Sequence, residues 1–130
     1  SAYGTVYAEA NNNSGIIYKS SISFIDDDGI AFNCSKSFMH MRAGGNRVRH
    51  NKFVCNIQST LNPALGVINV SSSDDPGVTF SNNLSCPASD AYPSLWRLGI
   101  ARDRVYLVSY VSTQCISLLG AYVDVVPTNN

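Results

Sequence analysis

Short runs in which apolar and polar residues alternate recur along nearly the whole chain, and turn-forming residues separate them. Such alternation is typical of a β-strand with one buried face, because successive side chains of a strand point to opposite sides. Gly, Pro, Asn or Asp occurs in each intervening turn, since these residues adopt the dihedral angles that turns need. Nine runs predict strands, over residues 4–10, 15–25, 29–42, 46–59, 65–71, 77–82, 95–101, 104–112 and 116–126.

Nine short strands without a long helical segment predict an all-β protein, either an antiparallel β-sandwich or a barrel. The one helical signal lies in residues 89–96, where Ser89 or Asp90 precedes a first turn containing Pro93, and it predicts a short helix at most. The length of 130 residues suits one domain, so we expect a single β domain over residues 1–130.

Charge is sparse: only 14% of the residues are charged, and nine Lys and Arg balance nine Asp and Glu. About a quarter of residues are charged in an average soluble domain, and a polar but uncharged surface is typical of secreted and cell-surface β proteins. No apolar run approaches the roughly 20 residues of a membrane helix. We therefore expect no membrane insertion, and no motif in the sequence indicates a cofactor.

Four cysteines, Cys34, Cys55, Cys86 and Cys115, lack the close Cys and His spacing of a zinc site, so no metal is expected. Two disulfides are the alternative, and they predict an oxidising location: secreted, periplasmic or cell-surface. If Gly44 and Gly45 form a two-residue hairpin turn, counting outward places Cys34 opposite Cys55. The register thus predicts a Cys34–Cys55 disulfide and leaves Cys86 to pair with Cys115.

The hairpin over residues 34–55 also holds most of the cations, with five of the nine lysines and arginines and both histidines. Alternation predicts an apolar face directed to the core, formed by Met39, Met41, Val48 and Val54, and a basic face formed by His40, Arg42, Arg47 and Arg49. Cations opposite one another repel unless a negative group lies near, and no Asp or Glu occurs from residue 29 to residue 73. The basic tip is therefore solvated, paired with an acid brought by the fold (Asp74, Asp75, Asp90 or Asp103), or occupied by an external anion.

Three further groups of residues suggest chemistry. Tyr92, Trp96 and Arg97 predict an aromatic platform for a sugar ring, although a lone Trp in a small β domain is also typical of a core residue. His40 and His50 suggest a ribonuclease pair, but the hairpin register puts them on opposite faces unless a bulge intervenes. The acidic residues 26–28 followed by Gly29 resemble half of a calcium loop, and we expect a plain turn there.

These features favour a secreted or cell-surface binding module, similar in class to adhesins and lectins, that recognises an anionic glycan or another anionic cell-surface ligand through the basic hairpin. Nucleic acid is not expected as a partner, whereas a homo-oligomer is compatible with the sequence. The alternative is a structural assembly subunit of a pilus or fibre that polymerises through its terminal strands. A small ribonuclease-like enzyme is the third hypothesis, and we do not expect enzymatic activity.

Overall fold

The computed structural model describes residues 6–9, 16–20, 26–27, 29–31, 33–59, 66–90, 92–114 and 116–128. Eleven strands and one 3₁₀ turn, at Ser112–Gln114, form within these ranges. The strands are β1 (Val6–Glu9), β2 (Ile17–Ser20), β3 (Asn33–Ser37), β4 (Met41–Arg42), β5 (Val48–Ser59), β6 (Val67–Ser73), β7 (Leu84–Pro87), β8 (Ser94–Trp96), β9 (Ile100–Ala101), β10 (Asp103–Val111) and β11 (Ile116–Pro127). The prediction of a mostly β protein is confirmed.

The strands form three antiparallel sheets, and none of them closes into a barrel within the described ranges. A five-stranded sheet has the order β3-β10-β6-β7, with β4 also paired to β10. A four-stranded sheet has the order β11-β5-β8, with β9 also paired to β5. The pair β1-β2 forms a separate small sheet.

One buried cluster draws its side chains from both larger sheets. The four-stranded sheet contributes Phe53 and Cys55, and the five-stranded sheet contributes Ile68, Tyr106 and Val108. The ring of Phe53 packs on the ring of Tyr106 with a centroid separation of 4.7 Å. Side chains of both larger sheets therefore contribute to one apolar core.

A bulge in β5 changes which of its side chains face this core. Lys52 pairs with Asp124 and His50 pairs with Val125, so that Asn51 has no partner on β11. The extra residue shifts the alternation, and both His50 and Phe53 are 1% exposed. Strict alternation would have placed these two side chains on opposite faces.

The predicted hairpin over residues 34–55 is wrong except at its tip. The tip turn is present, with an antiparallel bridge between Ala43 and Asn46 and positive φ at Gly44 and Gly45. Beyond the bridge the chain divides, because β3 and β4 pair with β10 whereas β5 pairs with β8, β9 and β11. The segment therefore crosses from one sheet to the other, and each arm finds its hydrogen bonds in a different layer.

The predicted disulfides are not supported, and the division of the strands explains the first error. Cys34 lies opposite Tyr110 of β10, and Cys55 lies opposite Ala121 of β11. Cys34, Cys55 and Cys86 are free thiols. Cys115, which elimination assigned to Cys86, lies outside the described residues. The description of the domain as disulfide-bonded is corrected accordingly.

Several local predictions have mixed outcomes. The turn at 26–29 is confirmed, because Gly29 has a φ of +80° and donates its N–H to Asp26 Oδ1 at 3.1 Å. The strand predicted over 77–82 is wrong, since Thr79 N–H binds Asp75 Oδ1 at 2.8 Å in a turn that precedes β7. Met39, predicted to face the core, is 87% exposed. The short helix expected within 89–96 is replaced by turn residues and β8.

No helix in the described part of the chain has both the length and the apolar character needed to cross a membrane.

Candidate functional site

Two pockets share a wall at His50. The larger, here named the Trp96 pocket, has a volume of about 610 Å³ and is lined by Arg49, His50, Asn51, Trp96, Arg97, Gly99, Ile100 and Asp124. The smaller, here named the His40 pocket, has a volume of about 290 Å³ and is lined by His40, Met41, Arg42, Ala43, Val48, His50, Val125 and Pro127. The β5 bulge lies between them and gives both pockets part of their lining.

A kinked segment, residues 97–99, separates β8 from β9 and shapes the Trp96 pocket. Arg97 has a φ of +59° and Gly99 a φ of +86°. Hydrogen bonds to β5 impose this conformation: the N–H groups of Arg97 and Leu98 donate to the carbonyls of Asn51 and His50 at 2.8 and 3.0 Å, and His50 N–H donates to Gly99 O at 2.8 Å. A left-handed backbone is unfavourable for arginine, so these hydrogen bonds must offset the conformational strain at Arg97.

A buried ion pair supports the same segment from the interior. Arg104, which is 5% exposed, donates Nη1–H to the Leu98 carbonyl at 2.5 Å. Its Nε and Nη2 donate to the two carboxylate oxygens of Asp74 at 2.5 and 2.7 Å. The bidentate geometry fixes the guanidinium plane, and that plane fixes the Leu98 carbonyl.

His50 joins this interior network through Tyr106, whose hydroxyl lies 3.1 Å from His50 Nδ1. Burial lowers the pKa of His50 from the usual 6.5, and the positive charge of Arg104 lowers it further. The carboxylate of Asp74 acts in the opposite direction. The interior between the two pockets therefore favours a neutral imidazole.

The Trp96 pocket combines an exposed aromatic ring with an excess of positive charge. Trp96 is 64% exposed, and Lys52 Nζ lies 4.3 Å from its ring centroid. Arg49 and Arg97 contribute two guanidinium groups to the lining, against one carboxylate from Asp124. Such a lining offers a stacking surface, charge-assisted donors and an acceptor within one concavity.

Two basic residues of the tip, His40 and Arg42, line the His40 pocket, and both lie beside the carboxylate of Asp103. His40 Nδ1 lies 3.1 Å from one carboxylate oxygen of Asp103, and Arg42 Nε lies 3.5 Å from the other. Asp103 is directly opposite Arg42 in the β4-β10 pairing, so the fold supplies the acid that residues 29–73 lack. One of the acids considered from the sequence thus pairs with two of the four basic-face residues.

The candidate binding residues are therefore divided among three places. Arg49, Trp96 and Arg97 meet in the Trp96 pocket, and His40 and Arg42 lie at the His40 pocket. Arg47 is exposed and lines neither pocket, although its carbonyl accepts hydrogen bonds from Thr128 N–H and Oγ1 at 3.1 and 2.8 Å. Tyr92 is 62% exposed and also lines neither pocket.

The sequence did not indicate five residues that line or support the site: Asn51, Gly99, Arg104, Tyr106 and Asp124. Asp74 was considered only as a partner of the basic tip, whereas it pairs with Arg104. One signal for the site was available, because a glycine within a strand pattern, here Gly99, is typical of a bulge or break. The ion pair between Asp74 and Arg104 spans 30 residues and leaves no local pattern. Long-range pairs of this kind require the folded chain.

Three observations concern the chemistry available at the site and in the adjacent core. His40 and His50 do line one pocket, so the argument that placed them on opposite faces is wrong, but His50 is 1% exposed and its Nδ1 contacts Tyr106. The described residues contain no group of three or more His, Cys, Asp or Glu able to hold a metal ion. Burial also raises the pKa of Cys55 to about 12, which suppresses its thiolate.

Comparison with known proteins yields no match for this chain to a family model, to a curated protein or to a solved structure.

Proposed function

We propose that this protein is a binding module that recognises an anionic saccharide in the Trp96 pocket. The observation that carries the proposal is the meeting of Arg49, Trp96 and Arg97 in one pocket of about 610 Å³. These three residues come from two separate stretches of the sequence, and the pairing of β5 with β8 and β9 brings them together. The volume suits a small ligand such as one or two sugar rings.

Each part of an anionic sugar has a matching group in this lining. The apolar face of a sugar ring stacks on Trp96, whose ring is exposed and held by Lys52 on one side. A carboxylate or sulfate receives charge-assisted hydrogen bonds from Arg49 and Arg97. Asn51 and Asp124 offer donors and acceptors for hydroxyl groups.

The distribution of counter-charge favours the Trp96 pocket over the basic tip. Asp103 already lies beside both His40 and Arg42, whereas the described residues place no carboxylate within ion-pair distance of Arg49 or Arg97. An unneutralised cation gains more from an external anion than one that must first leave a partner. The ligand's negative group therefore binds Arg49 and Arg97.

The scaffold and the location of the protein also bear on this proposal. Two antiparallel sheets over one shared core support a two-layer β-sandwich as the scaffold. The charged fraction of 14% supports a secreted or surface-displayed protein, whereas the free thiols of Cys34, Cys55 and Cys86 remove the support that disulfides would have given. Arg49 and Trp96 lie on strands, and hydrogen bonds to β5 hold the backbone of Arg97, which limits the ordering cost of binding.

A glycan array with sialylated, sulfated and neutral sugars, followed by calorimetric titration with the strongest binder, tests the proposal. We expect binding to acidic sugars that weakens as salt rises. Arg97→Gly removes the guanidinium while retaining a residue that accepts positive φ, so affinity should fall about tenfold or more with the fold intact. Trp96→Ala should have a similar effect.

Arg102→Ser is the matched control, because Arg102 is exposed and lines neither pocket. It removes one positive charge from the same protein and should leave affinity within about twofold. Equal losses in Arg97→Gly and Arg102→Ser would indicate only a general charge effect. Binding to neutral sugars alone would contradict the anionic ligand.

A second candidate, the assembly subunit that polymerises through terminal strands, is favoured by one observation. The last described strand, β11, pairs with β5 and is an edge strand of the four-stranded sheet. Size measured against protein concentration distinguishes the candidates, because a polymer keeps growing while a binding module stops at a closed species.

A further inference from the structure

Among the described strands, β11 forms a long edge of the four-stranded sheet. It runs for 12 residues and pairs along one side with β5, and β5 is its one strand partner among the residues that the structure describes. A sheet edge of this kind presents a row of backbone donors and acceptors to which another strand can pair. Four apolar side chains on it are more than 40% exposed: Leu119, Tyr122, Val125 and Val126.

The other described edges of the two larger sheets are short or interrupted. β3 has five residues and carries Lys36, and β7 has four residues and ends at Pro87. On the far side of β5 the edge is split into β8 and β9 by the kinked segment 97–99. Short length, lysine, proline and kinks are the usual means by which proteins prevent edge pairing. β11 has no lysine or arginine, its proline, Pro127, is its last residue, and its one extra residue, Leu119, lies in a register shift near its start.

The backbone of Val125 faces outward from β11. Its cross-strand partner is His50, and His50 uses its own N–H and carbonyl on Gly99 and Leu98, on the side of β5 away from β11. Val125 and His50 are therefore a non-hydrogen-bonded pair, so the N–H and carbonyl of Val125 point away from β5. The hydrogen bond of Thr128 agrees with this alternation. Thr128 lies three residues after Val125, and its N–H points inward to Arg47 O at 3.1 Å.

We propose that β11 pairs with β11 of a second copy of this chain, in an antiparallel arrangement that joins two four-stranded sheets into one. A second copy fits because antiparallel pairing of a strand with itself is two-fold symmetric and uses the same edge on both sides. Asp124, the one charged residue of β11, is compatible with this pairing. In a register centred on Tyr122, Asp124 lies opposite Gly120 of the second copy, and the exposed Val125 lies opposite Leu119, the extra residue of a bulge in β11. The two carboxylates are then kept apart.

This pairing closes the assembly at two copies, because each chain has used its β11 edge. It does not depend on any ligand in the Trp96 pocket. The expected species is a dimer whose formation follows protein concentration, with no growth to larger assemblies.

Sedimentation velocity over micromolar to submillimolar concentrations tests the inference with two substitutions at one position. Val125→Pro removes the outward N–H and leaves the hydrogen bonds to β5, and proline is tolerated where an edge N–H faces solvent. Val125→Thr keeps the N–H and the β-branched shape. We expect dimerisation by the wild type and Val125→Thr, and a dissociation constant raised about tenfold or more in Val125→Pro.

The circular dichroism spectrum and urea midpoint of Val125→Pro show whether this variant remains folded. If it is unfolded, Val125→Lys is used in its place, since a lysine on an edge strand opposes pairing without affecting the backbone. A wild type that stays monomeric over the whole range overturns the inference. A dimer that persists unchanged in the folded variant also overturns it, because the contact then lies elsewhere. Continued growth beyond two copies overturns it as well and favours the polymerising subunit.

Discussion

The ion pair between Arg104 and Asp74 should be a large single polar contribution to stability, and Asp74→Asn tests it. The guanidinium side chain is 6% exposed, whereas the Asp74 side chain is 52% exposed. Removing one partner of a fully buried pair costs about 3–5 kcal/mol, because the other charge stays buried without compensation. Water reaches Asp74 and reduces that penalty, so we expect a loss of about 2 kcal/mol.

The corresponding change in melting temperature follows from the chain length. Unfolding entropy near the midpoint is about 2.1 cal/mol/K per residue, so the 130 residues have about 0.27 kcal/mol/K. A loss of about 2 kcal/mol then lowers the melting temperature by about 7 °C. Urea unfolding followed by tryptophan fluorescence gives the free energy, and calorimetry gives the temperature.

Asp90→Asn is the control, because Asp90 is an exposed acid with no ion pair within the described part of the chain. It should change the free energy of unfolding by less than about 0.5 kcal/mol. Adding Arg104→Met to Asp74→Asn should recover part of the loss, since it removes the uncompensated charge. Equal stability of Asp74→Asn and Asp90→Asn would contradict this prediction, because the Leu98 carbonyl and water would then suffice for the guanidinium.

Three further predictions concern titration, thiols and the core. Because the pKa of His50 is lowered in the folded protein, the unfolded chain binds a proton first, so the stability present above about pH 6.5 falls as the pH drops below that value. His50→Gln should therefore make the free energy of unfolding less dependent on pH between about pH 7.5 and 5 than in the wild type. An unchanged slope would count against the buried imidazole. In a native thiol assay with a mass readout, the half-buried Cys34 should be labelled before the buried Cys55 and Cys86, and labelling of all three at one rate would contradict their burial. Phe53→Ala should cost about 3–5 kcal/mol because it empties a site that is 1% exposed, whereas Met39→Ala, at 87% exposed, should stay within about 0.5 kcal/mol; equal effects would place the core elsewhere.

Local patterns in the sequence were enough to predict the all-β class and the extent of the longer strands. Alternation predicted strands over 46–59, 104–112 and 116–126, and the structure has β5, β10 and β11 within one or two residues of these ranges. The turn at Gly44 and Gly45 was also predictable, because positive φ is a local demand that glycine meets. Periodicity and turn chemistry are short-range properties, so they can be read without knowing the partners of a strand.

Partner choice was decided only by the tertiary structure. Residues 34–42 and 46–59 satisfy the local rules for a hairpin, yet they lie in different sheets because burial of Phe53 and Tyr106 between two layers depends on the whole chain. The same long-range packing put Asp103 beside His40 and Arg42, and the bulge at Asn51 allowed both His50 and Phe53 to be buried. The Trp96 pocket arises in this way too, since Arg49 and Arg97 are 48 positions apart in sequence and meet only when β5 pairs with β8 and β9. Local alternation specifies which side chains can share a face of one strand, whereas the neighbour across the sheet is selected by the burial that the entire fold achieves.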